Sequence, residues 1–448
     1  MSYIPLGQLL SRLAAIGGHA SASASASARS TAAQMAKVSG EKSARCSSGS
    51  LMRLPSPGLR DVVLARVPLA DHRALGQTCK ALRRLVNSDD FAKLRKTQGY
   101  EECGLLLLGG SVLMGDRWKH FACLTHNLKS LGFAALAECP LDLCEFRTAL
   151  SADGRLIVCG DADYDRTVLI YDTREHVWVR DSRYPASLPA AMYGQCTAFL
   201  DNTLVIVGGE SRLADGGSGD PLAYAWSEQL RIWEQLPSLP TAVVSPGYGV
   251  IGSSLFVVGG VCRDDAPHAE HYGGVMVPGA TSMMSHYSAC LQIFNMTTRT
   301  WSLGAPLDAL RDRLEEPQSA AVFHGRLYVF CRRVLGSGSD AVIRACPIHG
   351  YCFDPRSNSW SELPALPVGS GTLLAACVHD GRLVVVGTTS SMNGWFQDHE
   401  VDPPAGFHYE WDDRAETWKK QPLLLDTVDK GPYGLGSLVS VPLRLRIR

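Results

Sequence analysis

The chain is expected to be mainly β and built as a β-propeller. Three observations lead there: a pair of aromatic landmarks that recurs five times, apolar runs too short for helices, and turn dipeptides between those runs. Trp178, Trp233, Trp301, Trp360 and Trp418 each have an aromatic seven positions earlier, namely Tyr171, Trp226, Phe294, Phe353 and Trp411. A small polar residue follows each of those aromatics: Asp172, Ser227, Asn295, Asp354 and Asp412. Upstream stands a short apolar run opened by a leucine (Leu156, Leu204, Leu255, Leu327, Leu383). Dipeptides such as Asp153-Gly154, Asp201-Asn202, His324-Gly325 and Asp380-Gly381 precede most of these runs, and they tolerate the positive φ of tight hairpins. Each unit therefore reads strand, tight turn, strand, insert, strand, turn, strand. One such unit cannot bury both of its faces, so the repeats must cover one another as blades.

Glycines follow three of the leucine runs, as Gly160, Gly208-Gly209 and Gly259-Gly260, where backbone is expected to pass close to backbone. With that mark, the Tyr-Asp-like pair and the Trp, the repeats resemble kelch blades. Two repeats depart from the pattern: Cys331-Arg332 stands at the fourth doublet, and Gly387-Thr388 keeps half of the fifth. A sixth, split blade is expected from Leu105–Leu108 with Gly109-Gly110 and from Phe121, seven residues before Leu128 in the Trp position. Its missing strand is expected from Tyr433–Arg448, where Leu435, Leu438, Val439 and Val441 are apolar. Pairing the first and last strands closes a six-bladed ring over residues 101–448 and leaves no open edge.

The N-terminal part has another character. Residues 1–50 are rich in Ala and Ser, with the run Ser21–Ser27 and Glu41 as their one acid, a composition that predicts disorder. It also suits an organellar transit peptide, a reading ranked below a plain linker. Residues 51–100 read as helical: basic residues from Arg66 to Lys96 alternate with Leu59, Val62, Leu64, Val67, Leu75, Leu82, Leu85, Phe91 and Leu94 at spacings of three and four. Asp71 and Ser88 stand where N-caps belong, and Asp89 and Asp90 suit the positive end of the last helix. This segment resembles an F-box, in the variety that precedes kelch repeats in plant proteins. The likeness is carried by Leu54-Pro55, Leu59, Leu64, Ala65-Arg66-Val67-Pro68, His72, Leu75, Cys79-Lys80, Arg83, Leu85, Ser88, Phe91 and Arg95. One extra residue, with Pro57-Gly58, precedes the first helix, and Leu82 stands where an aromatic is common.

Composition narrows the function classes. The 448 residues carry a net charge of -1 with mixed signs, which argues against a charge-driven nucleic-acid or membrane surface. No apolar run reaches transmembrane length, and the first residues do not read as a secretory leader. The 14 cysteines are scattered without a Cys-x-x-Cys pair, so the chain reads as reduced and resident in cytoplasm or nucleus. Asp264, Asp265, His268, Glu270 and His271 form the densest group of metal-ligand types, but a solvated loop is the stronger reading, because no second cluster would close the shell. The iron pattern Glu-x-x-x-Asp-x-x-x-His of kelch proteins that redirect glucosinolate breakdown is met by Glu138 and Asp142 and then fails at Phe146. No catalytic residue, metal or cofactor is expected.

The two resemblances imply a substrate-recognition subunit of an SCF-type ubiquitin ligase. The helical module would dock on a Skp1-like adaptor, and through it a cullin, while the propeller presents an unknown target protein. The expected adaptor contacts are Leu54, Pro55, Leu59, Val63, Leu64, Val67 and Pro68, with burial inside the module as the rival reading for Leu64 and Val67. Arg332-Arg333 is a weaker candidate for reading an acidic target, set against a solvated loop pair. A kelch scaffold without ubiquitin transfer and a metal-dependent propeller enzyme are the competing readings.

Overall fold

The turn dipeptides adopt the backbone that their residue types permit. In the computed structural model of the protein, Asp201-Asn202 have φ of 48° and 65°, His324-Gly325 of 49° and 72°, and Asp380-Gly381 of 48° and 69°. Each pair closes a hairpin between the first two strands of a sheet. The structure describes residues 64–67, 72, 80–98, 100, 103–114, 117–125, 133–135, 140, 146–160, 166–175, 177–211, 221–263, 285–313, 315–333, 348–366, 368, 372–389, 405–421 and 437–442. The chain divides into two compact units, residues 1–102 with 443–448, and residues 103–442.

The larger unit is a mainly β propeller. Its first strands are β1 (Cys103–Met114), β2 (Arg117–Thr125) and β3 (Phe133–Ala135). Five blades follow, each a four-stranded antiparallel sheet. The first blade is β4 (Arg147–Leu150), β5 (Arg155–Cys159), β6 (Val168–Asp172) and β7 (Val177–Val179). The second holds β9 (Cys196–Leu200), β10 (Thr203–Val207), β12 (Ala223–Ser227) and β13 (Ile232–Leu236), with the short β8 (Met192–Tyr193) and β11 (Glu210–Ser211) paired beside it. The third holds β14 (Gly247–Ile251), β15 (Ser254–Val258), β18 (Leu291–Asn295) and β19 (Thr300–Gly304), with β16 (Val261–Arg263) and β17 (Ser285–Tyr287) as its side pair. The fourth is β20 (Glu315–Phe323), β21 (Arg326–Arg333), β22 (Ile348–Asp354) and β23 (Ser359–Leu366), and the fifth is β24 (Thr372–His379), β25 (Arg382–Thr389), β26 (Ala405–Asp412) and β27 (Thr417–Gln421). A further four-stranded sheet joins β28 (Ser437–Pro442) antiparallel to β1, from Cys103↔Pro442 to Leu108↔Ser437, and continues through β2 and β3. The register of β1 against β2 shifts between Leu108 and Ser111, so Gly109-Gly110 form a bulge inside β1.

Why the second strands read as unbroken apolar runs is visible in the cores. Leu204 and Ile206 pack with Ile157, Cys159 and Ile170 of the first blade, while Val205 and Val207 pack with Leu255, Val257 and Phe294 of the third. Alternate side chains of one strand thus enter two different cores, and no face is left polar. The same holds between the third and fourth blades (Phe256 and Val258 with Leu327 and Val329) and between the fourth and fifth (Tyr328 and Phe330 with Leu383 and Val385). Each interface between consecutive blades, from the first to the fifth, therefore has its own core.

The aromatic spacing follows from the outer hairpin. Tyr171↔Trp178, Trp226↔Trp233, Phe294↔Trp301, Phe353↔Trp360 and Trp411↔Trp418 are direct cross-strand partners. Their ring centroids lie 4.9–5.5 Å apart. The small polar residue after the first aromatic shapes the turn between them. Asp172, Asn295 and Asp412 each accept two backbone N–H bonds from the turn, while Ser227 and Asp354 accept one, from Leu230 and Arg356 respectively. Four of the tryptophans also latch their blade to the one before. Trp233 Nε1 donates to Ser187 O, Trp301 to Pro237 O, Trp360 to Ala305 O and Trp418 to Pro364 O, all at 2.8–2.9 Å.

The glycine doublets meet the expected close approach in part. A Cβ on Gly208 would lie 2.9 Å from the carbonyl of Val243, and one on Gly260 2.8 Å from that of Val244. At Gly160 and Gly259 the neighbours are side chains instead, Gln195 in one case and Leu310 with Pro317 in the other. The smaller unit shows α1 (Lys80–Val86) and α2 (Asp89–Thr97), with Ser88 as N-cap accepting from Phe91 N at 3.2 Å. Asp71 lies outside the described residues.

Candidate interaction sites

Leu64, Ala65, Val67, Leu82, Val86 and Phe91 form one buried cluster in the helical unit. Arg95 of α2 ties it together: Nη1 donates to Ala65 O at 2.6 Å and Val67 O at 2.5 Å, and Nη2 to Tyr100 O at 2.6 Å. The same Nη1 stands 3.2 Å from His72 Nε2. Burial, aided by the Arg95 charge, pulls the His72 pKa down to about 4, so the imidazole is neutral at physiological pH. Leu64 and Val67, expected as adaptor contacts with core burial as the rival reading, are at most 1% exposed and lie in this buried cluster. Leu54, Pro55, Leu59, Val63 and Pro68 lie outside the described residues.

In the propeller, antiparallel alternation brings the ends of the second strands, the starts of the third strands and the lead-ins to the inner strands to the same end of each blade. Arg332 and Arg333 sit there, and their context differs from the loop expected. Both are strand residues of β21, and Arg332 is the direct cross-strand partner of Glu316, with Nη2 3.3 Å from that carboxylate. Without glycines at Cys331-Arg332 the ladder runs on, and the Arg332 charge is met within the blade.

Beside it lies a polar group that the sequence reading missed. Glu315 opens β20, and its Oε2 accepts the Tyr351 hydroxyl at 2.7 Å. Arg313, just after the short helix α3 (Asp308–Asp312), donates to both oxygens of Glu362 at 2.7 and 3.0 Å and reaches Tyr351 Oη and His349 Nδ1 at 3.3 and 3.2 Å. A second buried polar group lies in the fifth blade. His408 is fully buried with both ring nitrogens unpartnered, and burial lowers its pKa to about 4 despite the nearby Glu410. On the same blade, His379 Nδ1 lies 3.1 Å from Ser440 Oγ of β28.

Among the described residues no group of three or more His, Cys, Asp or Glu is arranged to hold a metal, and Asp264–His271 lie outside them. Cys159 is pushed up to about 11 and Cys377 to about 12 by burial, so both behave as small apolar side chains rather than as nucleophiles. Among the described residues no helix is long and apolar enough to cross a membrane.

No family model matches the chain. It is 29% identical over 225 residues to an F-box/kelch-repeat protein of Arabidopsis thaliana, covering 46% of this chain and 54% of that protein. It is 23% identical over 373 residues to Kelch-like protein 25 of Xenopus laevis, covering 71% of this chain and 57% of that protein. The chain thus spans little more than half the length of these curated relatives. Both carry kelch in their names, which supports a kelch-repeat family; a specifically plant type is not distinguished by them.

Proposed function

We propose that the protein is the substrate-recognition subunit of an SCF-type ubiquitin ligase, with an F-box in residues 51–100 that docks a Skp1-like adaptor, and through it a cullin, and a propeller that holds the target. The observation that carries the reading is the pairing, in one chain, of a small helical unit and a propeller of kelch-type repeats. The partial likeness to an F-box/kelch-repeat protein agrees with it. Such a subunit breaks no bond; it raises the effective concentration of a target lysine near the ubiquitin-carrying enzyme. Within this reading the β28-β1-β2-β3 sheet is the sixth blade, closing the ring as its first and last strands pair. The neighbours of β28 support that role, since it approaches β24 on one side and β4 on the other.

The adaptor face is assigned to Leu54, Pro55, Leu59, Val63, Leu64, Val67 and Pro68, with the burial of Leu64 and Val67 favouring a core role for those two. Co-expression with a Skp1-like adaptor tests this: the adaptor should co-purify with the full chain and be lost from a Leu54→Asp, Leu59→Asp double variant whose thermal unfolding of the propeller is unchanged. Equal recovery with both chains would contradict the F-box assignment.

A further inference from the structure

We propose that the fourth blade carries a receptor site for one basic side chain, lysine or arginine, of a bound protein, with the Glu315 carboxylate as its acceptor; this rests on the receptor reading above. Glu315 lies at the end of the blade where β21 stops and β22 starts. Its side chain is 0% exposed, yet Oε1 has no hydrogen-bond partner. A buried carboxylate oxygen without a donor is costly, and native structures satisfy nearly all such atoms. The exception therefore calls for a donor that arrives from outside.

The neighbouring charges single out this oxygen. Glu316 has Arg332, and Glu362 has both Arg313 donors, so neither of these guanidiniums donates to Glu315 Oε1. Arg313 makes its hydrogen bonds to Glu362, Tyr351 and His349, and none to Glu315. Oε1 faces His349 Nδ1 at 3.8 Å, too far for a hydrogen bond, and Glu362 Oε1 lies 3.3 Å from the same nitrogen. Two carboxylate oxygens thus flank one imidazole edge. Arg313 and Glu362 beside the site are 42% and 45% exposed. A cation entering past His349 meets Oε1 directly, while Tyr351 holds the carboxylate in place. Burial keeps the Glu315 carboxyl above its ordinary pKa, so an entering ammonium or guanidinium favours its ionised form and the displaced proton passes to solvent. One buried oxygen without a donor suits a single basic side chain.

A random dodecapeptide phage library panned on the full chain and on Glu315→Gln tests the site, since glutamine keeps the shape and can still accept from Tyr351. Peptides selected on the unmodified chain should share a lysine or arginine whose replacement by norleucine weakens binding about ten-fold, the scale of one charge-assisted hydrogen bond. Glu315→Gln should erase that ten-fold difference, and Glu316→Gln should leave it. Should Glu315→Gln lose cooperative unfolding, Glu362→Gln and His349→Ala at the rim serve in its place, each reducing the discrimination several-fold. Peptides that bind without a shared basic residue, or whose discrimination survives these variants, overturn the site and leave the receptor reading standing. A library that yields no binder overturns both.

Discussion

The third and fourth blades perform the same task by different means. In the third, Gly259 and Gly260 take φ of 68° and 91° after β15, and the chain leaves the main ladder for the side pair of β16 and β17. In the fourth, Cys331 and Arg332 occupy that place, and β21 stays paired on both sides, Arg332 with Glu316 and with Ile348. The strand is eight residues long instead of five. In the third blade the glycine doublet ends the ladder in a backbone that side-chain-bearing residues rarely adopt; in the fourth, without it, the ladder extends and places side chains where the third blade has bare main chain. Those side chains are charged, and one of them, Glu315, is left without a full set of partners.

The comparison predicts unequal sensitivity at the two places. Gly260→Ala puts a methyl 2.8 Å from the Val244 carbonyl in a left-handed backbone, and should cost about 3 kcal/mol in urea unfolding. Arg332→Gly, which places there the glycine of the second and third blades, should cost about 1 kcal/mol or less, the sum of a strand glycine and a weak ion pair. Similar losses from the two would break the comparison.

Acid should act on the extended blades with opposite signs. The folded pKa of His408, about 4, lies below its unfolded 6.5, so the unfolded chain binds the proton first. Stability is then full above about pH 6.5, falls as the pH drops, and is lower by roughly 3 kcal/mol below pH 4. Glu315 has a raised folded pKa, so its contribution runs the other way and is lost as pH rises through that value. A pH series of urea midpoints should show His408→Leu flattening the acid limb. A series unchanged by this substitution would mean that another group, His72 of the helical unit first, governs the acid limb.

One small effect should be the same in both blades. Trp301→Phe and Trp360→Phe each remove one indole N–H bond to the preceding blade, at 2.8 Å, and each should cost about 1 kcal/mol by thermal unfolding. Unequal losses would show that the doublet region reaches the outer hairpin.

Much of this was legible in the sequence because it rests on local spacing. Seven residues from aromatic to Trp is the length of a hairpin that sets the two rings side by side, and the small polar residue between them marks an Asx-type turn. The five repeats and the pairing of the last strand with β1 follow from the same periodicity. Long-range partners were not legible. The carbonyls that accept from the tryptophans lie 46 to 64 positions away in connections without a motif. Glu315 reads as an ordinary surface acid until Tyr351, 36 positions on, folds over it. Leu64 and Val67 could not be sorted between core and contact face from helical spacing, because an apolar side chain at that spacing suits either role.

The functional account stands on the helical unit binding an adaptor while the propeller stays free. The most direct measurement is the mass of the complex formed when the full chain is mixed with a Skp1-like adaptor, by light scattering during gel filtration. The account predicts a single species at the summed mass of one copy of each, dissociated by Leu54→Asp with Leu59→Asp. Two separate peaks at the individual masses would contradict it.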